Sequence, residues 1–388
     1  MDLALWRPRD RRRRSLTAVA LAASAAALLI TPAAHAQTRQ LDARTSERLD
    51  RTLSATLDRT WAPGVIAGVW VGDRGWTATG GVANRATGAL PTLNDRTRIG
   101  SVTKIFTGTL VLQLVDEGRL RLDDTIERWF PQLPDAGRIT IRDLGTMASG
   151  IASYSLDPAT VDRYLARPRA VFTPAELIAA GVDLPRQFAP GDGFSYSNTN
   201  LVMLGQVVEQ VTGRPLAEVM RTKLFAPLGM RHTSYAASTR LPQPSWHGYT
   251  LQGSDGAVLD ATTWNPTFSG AAGQITSTLG DLRRFTRAVG SGALLKPATQ
   301  RARLQPNPAS AAGGRAYLFA IGKEKDWLAH SGVLPGFNSQ IAYLPARRIS
   351  IVVLTNADIA SAAGSPAPAI FNALAEVVAP GSLPRPHR

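Results

Sequence analysis

The sequence predicts an α/β (α+β) fold in which one antiparallel sheet, built from the N- and C-terminal segments and flanked by their helices, carries an inserted, mostly helical lobe. Three observations predict it. β-rich runs occur towards both ends of the chain, while apolar residues recur at three- and four-residue intervals in between. With 388 residues, 44% of them hydrophobic, the chain is globular in composition and exceeds the usual reach of one hydrophobic core, so two lobes are expected.

Asp42 to Thr60 alternates charged and apolar residues at helical spacing. Val65 to Val71 and Trp76 to Thr79 then read as strands around the turn Gly72-Asp73-Arg74-Gly75. A helical pattern runs from Ile105 through Leu120 and returns in Leu201 to Val211 and Pro215 to Leu224, with Thr212-Gly213 as the stop between them. Asn338 to Leu344 and Ile349 to Leu354 are β-rich, separated by Pro345-Ala346-Arg347-Arg348, and Ala367 to Val378 reads as a closing helix. The sheet lobe therefore takes residues of about 41–99 and 270–379, the helical lobe about 100–269, within a domain of 37–380 followed by a tail at 381–388. The cleft between lobes is the expected site.

Residues 1–36 are set apart. Arg7 to Arg14 form a basic run, Ser15 to Ile30 a run of small and apolar residues too short to span about 30 Å of hydrocarbon, and Ala34-His35-Ala36 a cleavage signal. This is the pattern of a secretory signal peptide, so a periplasmic or secreted protein with no stable membrane anchor after cleavage is expected. Arg13-Arg14-Ser15-Leu16-Thr17 is equally compatible with a twin-arginine signal, which leaves the export route open.

Composition excludes several functions. With no cysteine, the chain has no thiol nucleophile, disulfide or Cys-bearing zinc site. The five histidines, at 35, 232, 247, 330 and 387, never fall at metal-ligand spacing, so no metal is expected. Loss of six Arg and two Asp with the leader reduces 43 basic and 29 acidic residues to 37 and 27, a net charge of +10. That excess is diffuse, without a basic block interleaved with aromatics, so no nucleic-acid partner is expected. Neither a Gly-x-Ser-x-Gly elbow nor a Gly-x-x-x-x-Gly-Lys phosphate loop is present.

Three strings carry chemistry. Ser101-Val102-Thr103-Lys104 precedes an apolar helical run, so Ser101 lies near a helix N-terminus with Lys104 one turn later on the same face. A desolvated Lys amine beside a hydroxyl can accept its proton, and the unpaired N–H groups of the first turn suit an oxyanion. Alone, the string reads as well as a helix cap and a surface charge. Tyr196-Ser197-Asn198 offers a phenol for proton sharing and an amide for orienting a substrate, or a capping loop. His330-Ser331-Gly332 precedes the late strands, where Gly lets a ligand's backbone lie along a sheet edge.

The order Ser-x-x-Lys, Tyr-x-Asn, His-Ser-Gly resembles the serine β-lactamase and penicillin-binding-protein family, and within it the branch of class C β-lactamases and soluble D-alanyl-D-alanine carboxypeptidases. Similarity extends from about Asp42 to Val377 through Arg98-Ile99-Gly100, Leu114 to Gly118, Ile139 to Leu144, Pro227 to Met230, Ala272-Gly273 and Pro335 to Asn338. The resemblance implies a β-lactamase-like fold and a serine hydrolase without cofactor, acting through an acyl-enzyme on a small-molecule or peptide substrate. It implies that Ser101 is the nucleophile, that Lys104 and Tyr196 move its proton, and that Asn198 orients the substrate amide. The strand of His330, Ser331 and Gly332 would bind substrate, and the backbone N–H groups of Ser101 and Val333 would form the oxyanion hole. Either Lys104 or Tyr196 can be the base.

Two departures stand out. Where the family commonly reads Leu-Thr-His-Thr-Ser-Gly, this chain has Gly145-Thr146-Met147-Ala148-Ser149-Gly150, which bears on the hydrogen bonding of that turn. The third triplet begins with His330 in place of Lys, and a neutral imidazole grips a carboxylate less strongly than an ammonium. D-alanyl-D-alanine carboxypeptidase action is therefore the first expectation, with class C-type β-lactamase or carboxylesterase action as the alternative and a non-catalytic penicillin-binding protein after those. Specificity is expected from Trp246 to Ser269, with Tyr249 and Trp264 either lining the cleft or packing in the core.

Overall fold

The hairpin expected near Gly72 forms from β2 (Gly64–Val71) and β3 (Arg74–Gly81), with Val71 opposite Arg74, in a computed structural model that describes residues 39–384 apart from Ala236. The proposed leader at 1–36 lies outside the described residues. Around the hairpin an eight-stranded sheet assembles from β1 (Arg39–Gln40), β4 (Arg315–Tyr317), β5 (Gly322–Glu324), β6 (Trp327–Leu334), β7 (Phe337–Leu344) and β8 (Ile349–Thr355). Its order is β1-β3-β2-β8-β7-β6-β5-β4, so β2 from the start of the chain pairs with β8 from its end. The pairings are antiparallel except for the two residues of β1, which run parallel to β3; the expected antiparallel sheet needs that small correction.

Side chains alternate across the sheet as the period of two requires. Val65, Ala67 and Val69 of β2, with Ile349, Ile351 and Val353 of β8, face α1 (Ala43–Leu57) and α5 (Pro366–Val378). Ile66 and Trp70, with Val352 and Leu354, face the other way into a larger core that includes α4 (Leu279–Gly290) and the helical part of the molecule. A T-shaped contact between Trp327 of β6 and Phe371 of α5, 5.5 Å between centroids, anchors the first layer. Asn338 clips it further, donating to the Gly332 carbonyl and accepting from the Ala367 amide.

α2 (Thr103–Asp116) runs through the larger core with buried residues on every side, as expected of a helix that is apolar all round. α3 (Asn198–Thr212) packs against it and stops at Gly213, whose φ of 69° is the left-handed cap expected there. Pro215 to Leu224 is a single turn of helix, Leu216–Met220, that widens into a π turn over Arg221–Phe225. The short strand Thr97–Arg98 pairs with Ile275–Ser277, tying the approach to α2 to the approach to α4.

Several strands of the sheet lie beyond the periodic runs, β4, β5 and β6 among them. Gly322–Glu324 contains Gly, Lys and Glu, and its strand character comes from pairing with Trp327 to Ala329 rather than from residue preference. β6 itself is broken in pattern by His330, Ser331 and Gly332. Phe371→Ala should lower the free energy of unfolding by about 3–5 kcal/mol, because a fully buried ring against Trp327 is replaced by a cavity. Urea denaturation should show a lower midpoint with an unchanged slope.

Candidate active site

Gly100–Val102 forms a tight turn that leads into α2, which puts Ser101 just ahead of the helix and Lys104 in its first turn. Lys104 Nζ lies 2.8 Å from Ser101 Oγ and donates to the Ala272 carbonyl at 3.1 Å. The side chain is 0% exposed, and among the described residues no carboxylate offsets its burial. Burial therefore pushes its pKa well below the ordinary lysine value, favouring the neutral amine that can accept a proton.

Tyr196 completes the group. Its ring lies 4.8 Å from Lys104 Nζ, and its hydroxyl hydrogen-bonds with Ser101. Burial pushes the phenol up, partly offset by that bond, and the shift is moderated by solvent because the residue as a whole is 39% exposed. Asn198 opens α3, with its Nδ2 donating to Ser155 Oγ at 3.3 Å and its backbone N–H to Ser153 Oγ at 3.1 Å. Behind this stretch Met147, at φ 62°, takes the place of the family's histidine: its carbonyl accepts from the Ser195 amide and its thioether from the Ser197 amide at 3.4 Å. A sulfur acceptor thus substitutes for an imidazole, and at Gly145 the Phe319 ring fills the space, lying 2.1 Å from where a Cβ would stand.

The third string lies on β6, whose pairing with β5 ends at Ala329, so β5 leaves the edge from His330 to Leu334 uncovered beside Ser101. The approach is close. A Cβ on Gly100, which has φ 50°, would sit 2.7 Å from the Val333 amide nitrogen, and one on Gly332 would sit 1.9 Å from the Ile99 carbonyl oxygen. Only glycine permits strand and turn to meet in this way, and the contact sets the Val333 N–H next to Ser101. His330 is buried, with Nδ1 2.6 Å from the Ser331 carbonyl and Nε2 3.3 Å from the Tyr317 hydroxyl. Since a carbonyl only accepts, Nδ1 carries the proton and Nε2 accepts from Tyr317. Burial, then the nearby Lys104, lower the His330 pKa to about 4, so the imidazole is neutral at pH 7.

Ser101, Asn198 and Val333 share a cavity of about 140 Å³ with Tyr154, Tyr164, Gln252, Phe268, Ser269, Ala272, Gly273, Leu334 and Pro335. None of these described residues is charged. His330, Ser331 and Gly332 stand behind the lining instead of in it. The aromatic wall is stacked: Tyr164 lies 4.1 Å from Phe268, and Tyr154 meets Phe268 edge-on at 5.4 Å. Trp264 backs Tyr164 from outside the cavity, and Tyr249 accepts from the Arg85 amide away from it, so both belong to packing. Sequence reasoning missed Tyr317, Tyr154 and Tyr164, for which no motif exists. Their approach to the site depends on tertiary contacts.

A model of the family described as Beta-lactamase matches residues 49–375. The chain belongs to the beta-lactamase family. It is accordingly a serine hydrolase on the β-lactamase-like fold. This beta-lactamase family member is 28% identical over 327 residues to "Penicillin-binding protein 4" of Amycolatopsis lactamdurans, covering 77% of this chain and 82% of that protein. A solved D-stereospecific amidohydrolase from Streptomyces sp. superposes with a TM-score of 0.75 at 30% identity, over 85% of this chain and 97% of that one. A D-amino acid amidase from Ochrobactrum anthropi SV3, at 24% identity and TM-score 0.75 over 86% of this chain and 97% of that one, shares the fold.

The buried His330 generates a pH dependence with a definite sign. Its folded pKa of about 4 lies below the unfolded value of 6.5, so the unfolded state binds more protons between these values. Stability should be fully present above pH 6.5 and fall by up to about 3 kcal/mol as pH drops towards 4. Urea midpoints measured across pH 4–7 should show this slope in the wild type and a flatter one in His330→Asn.

Proposed function

We propose that this serine hydrolase acylates Ser101 with uncharged amides or esters whose acyl group carries an apolar or aromatic side chain, amides of D-amino acids foremost. The observation that carries the reading is the cavity at Ser101, walled by Tyr154, Tyr164, Phe268 and Leu334 and free of charged lining residues. A substrate ending in a carboxylate meets no fixed cation there, and the neutral His330 supplies none. The amidohydrolase from Streptomyces sp., D-stereospecific by its description, supports the choice of D-configured amides.

In this reading the Ser101 hydroxyl passes its proton to the Lys104–Tyr196 pair as Oγ attacks the carbonyl carbon. The N–H groups of Ser101 and Val333 stabilise the oxyanion, and the pair returns the proton to the leaving amine or alcohol. Water then releases the acid by the same proton path in reverse. Asn198 holds the substrate amide at the mouth of the cavity.

D-alanyl-D-alanine carboxypeptidase action is the second reading, favoured by the similarity to a penicillin-binding protein over most of both chains. The basic run, apolar run and Ala34-His35-Ala36 support export to the periplasm or medium.

Purified protein should hydrolyse D-phenylalanine amide with a kcat/KM at least about tenfold above that for a D-Ala-D-Ala peptide, a ratio that about 1.4 kcal/mol of pocket contact supplies. A reversed ratio returns the assignment to the carboxypeptidase. Ser101→Ala should lower kcat by at least about 10³-fold for either substrate, and mass spectrometry after incubation with penicillin should find the acyl adduct only on Ser101.

A further inference from the structure

One polar group on the Ser101 cavity has no part in the proton path. Gln252 lines the cavity from its exposed rim, on a loop between the short paired strands Tyr249–Thr250 and Leu259–Asp260. Its backbone N–H donates to Thr250 Oγ1 at 3.1 Å. At the next residue the chain turns through Gly253, with φ 71°, where a Cβ would touch Leu165 of the helix Pro158–Ala166 that carries Tyr164. The Gln252 side chain reaches Asp358, with Nε2 2.5 Å from Oδ2.

Asp358 follows β8, is half-buried, and ties together two sides of the cavity mouth. Its Oδ2 accepts from Gln252 and, at 3.1 Å, from the buried Thr250 hydroxyl. Its Oδ1 accepts at 3.0 Å from the amide of Gly336, the neighbour of Pro335 in the lining. A carboxylate oxygen only accepts, so the Gln252 NH2 must face Asp358 and the amide is held against a flip. Among the described residues nothing donates to Gln252 Oε1, which leaves it as a free acceptor on the cavity. The bonded carboxylate polarises the amide and strengthens that oxygen as an acceptor. Asp358 is felt at the aromatic wall too: the Tyr164 phenol is pushed up first by burial and further by Asp358, with Arg98 pulling the other way.

We propose that Gln252 is a specificity-determining residue that accepts an N–H from the α-amino group of the substrate, with Asp358 as its positioning residue. The inference rests on the reading of Ser101 as the nucleophile towards amides of D-amino acids, and adds which group reads the amine. The substrate carbonyl goes to Ser101 and the Val333 N–H, the apolar side chain to Tyr154, Tyr164 and Phe268, and the amine to Gln252. Those are three different attachments around one Cα, the fewest that separate mirror images. The same glutamine therefore sets the preference for an amine and the preference between enantiomers. An amine donates N–H with or without its extra proton, so an uncharged amide satisfies the site.

Initial rates at about pH 9, where an α-amino group is mostly neutral, test the proposal with D-phenylalanine amide, L-phenylalanine amide and 3-phenylpropanamide, which lacks the amine. The wild type should favour D-phenylalanine amide over 3-phenylpropanamide by about tenfold or more in kcat/KM. Gln252→Met, similar in length but without the amide oxygen, should bring that ratio close to one, mainly through KM, and narrow the D-over-L ratio. Asp358→Asn, which can turn oxygen or nitrogen towards Gln252, should fall between the two, and circular dichroism melting shows each variant to be folded. Titration of Ser101→Ala, with and without Gln252→Met, against D-phenylalanine amide and 3-phenylpropanamide keeps the two readings apart. Hydrolysis without preference for the amine, or with both ratios kept in folded Gln252→Met, overturns the role of Gln252 and leaves the hydrolase reading standing. Binding that favours the amine and depends on Gln252, without turnover in the wild type, overturns the hydrolase reading and leaves the amine site standing. Absence of both binding and turnover overturns both.

Discussion

A lysine amine sealed from water beside a serine hydroxyl is the constraint on which the rest of this structure depends. Lys104 is fully buried, and the partners close to its Nζ are the Ser101 oxygen, the Ala272 carbonyl and the face of Tyr196. Holding an ammonium there would be costly, so the surroundings select the free base. That requires α2 to be enclosed on all sides, which in turn requires helices on one flank and the sheet on the other. The fold can be understood as the apparatus that dries one amine while leaving its neighbouring hydroxyl at the wall of a cavity.

The second requirement is closeness. Substrate must reach Ser101 between a strand and a turn, and β6 comes within backbone contact of Gly100 because positions 100 and 332 carry no side chain. The uncovered stretch of β6 beyond Ala329 has its backbone beside the nucleophile because β5 is so short. Neutral His330 and the Tyr317 hydroxyl, outside the cavity lining, add no formal charge to the site, in keeping with the uncharged cavity.

Much of this was legible in the sequence, for identifiable reasons. The hairpin at Gly72, α2, α3, the two late strands and α5 all carry strong periodicity, and the structure contains each of them. Ser101, Lys104 and Tyr196, widely separated in sequence apart from the first two, converge in space; their ordered motifs made that expectation possible. β4 and β5 were not legible, because Arg315–Tyr317 and Gly322–Glu324 owe their conformation to the strands they join. The aromatic wall was missed for the same reason: Tyr154 and Tyr164 come from a single 3₁₀ turn and a short helix whose placement depends on Phe268, more than a hundred residues later. Tyr249 and Trp264 show the converse, aromatic residues in the expected stretch that serve the packing. The swap of histidine for Met147 became interpretable only with the Ser197 amide in place beside its sulfur.

The pairing of β2 with β8 has a temporal consequence. Val71 lies opposite Ile349 and Val65 opposite Thr355, so the centre of the sheet cannot close until nearly the whole chain has been synthesised. Contacts of such sequence separation carry a large loop-closure cost and make folding slow. α2 and its neighbours can form earlier, but the turn bearing Ser101 lacks β6 until the last quarter of the chain arrives. An incomplete chain would hold the nucleophile without the strand that flanks it, and hydrolytic competence would arrive together with the fold.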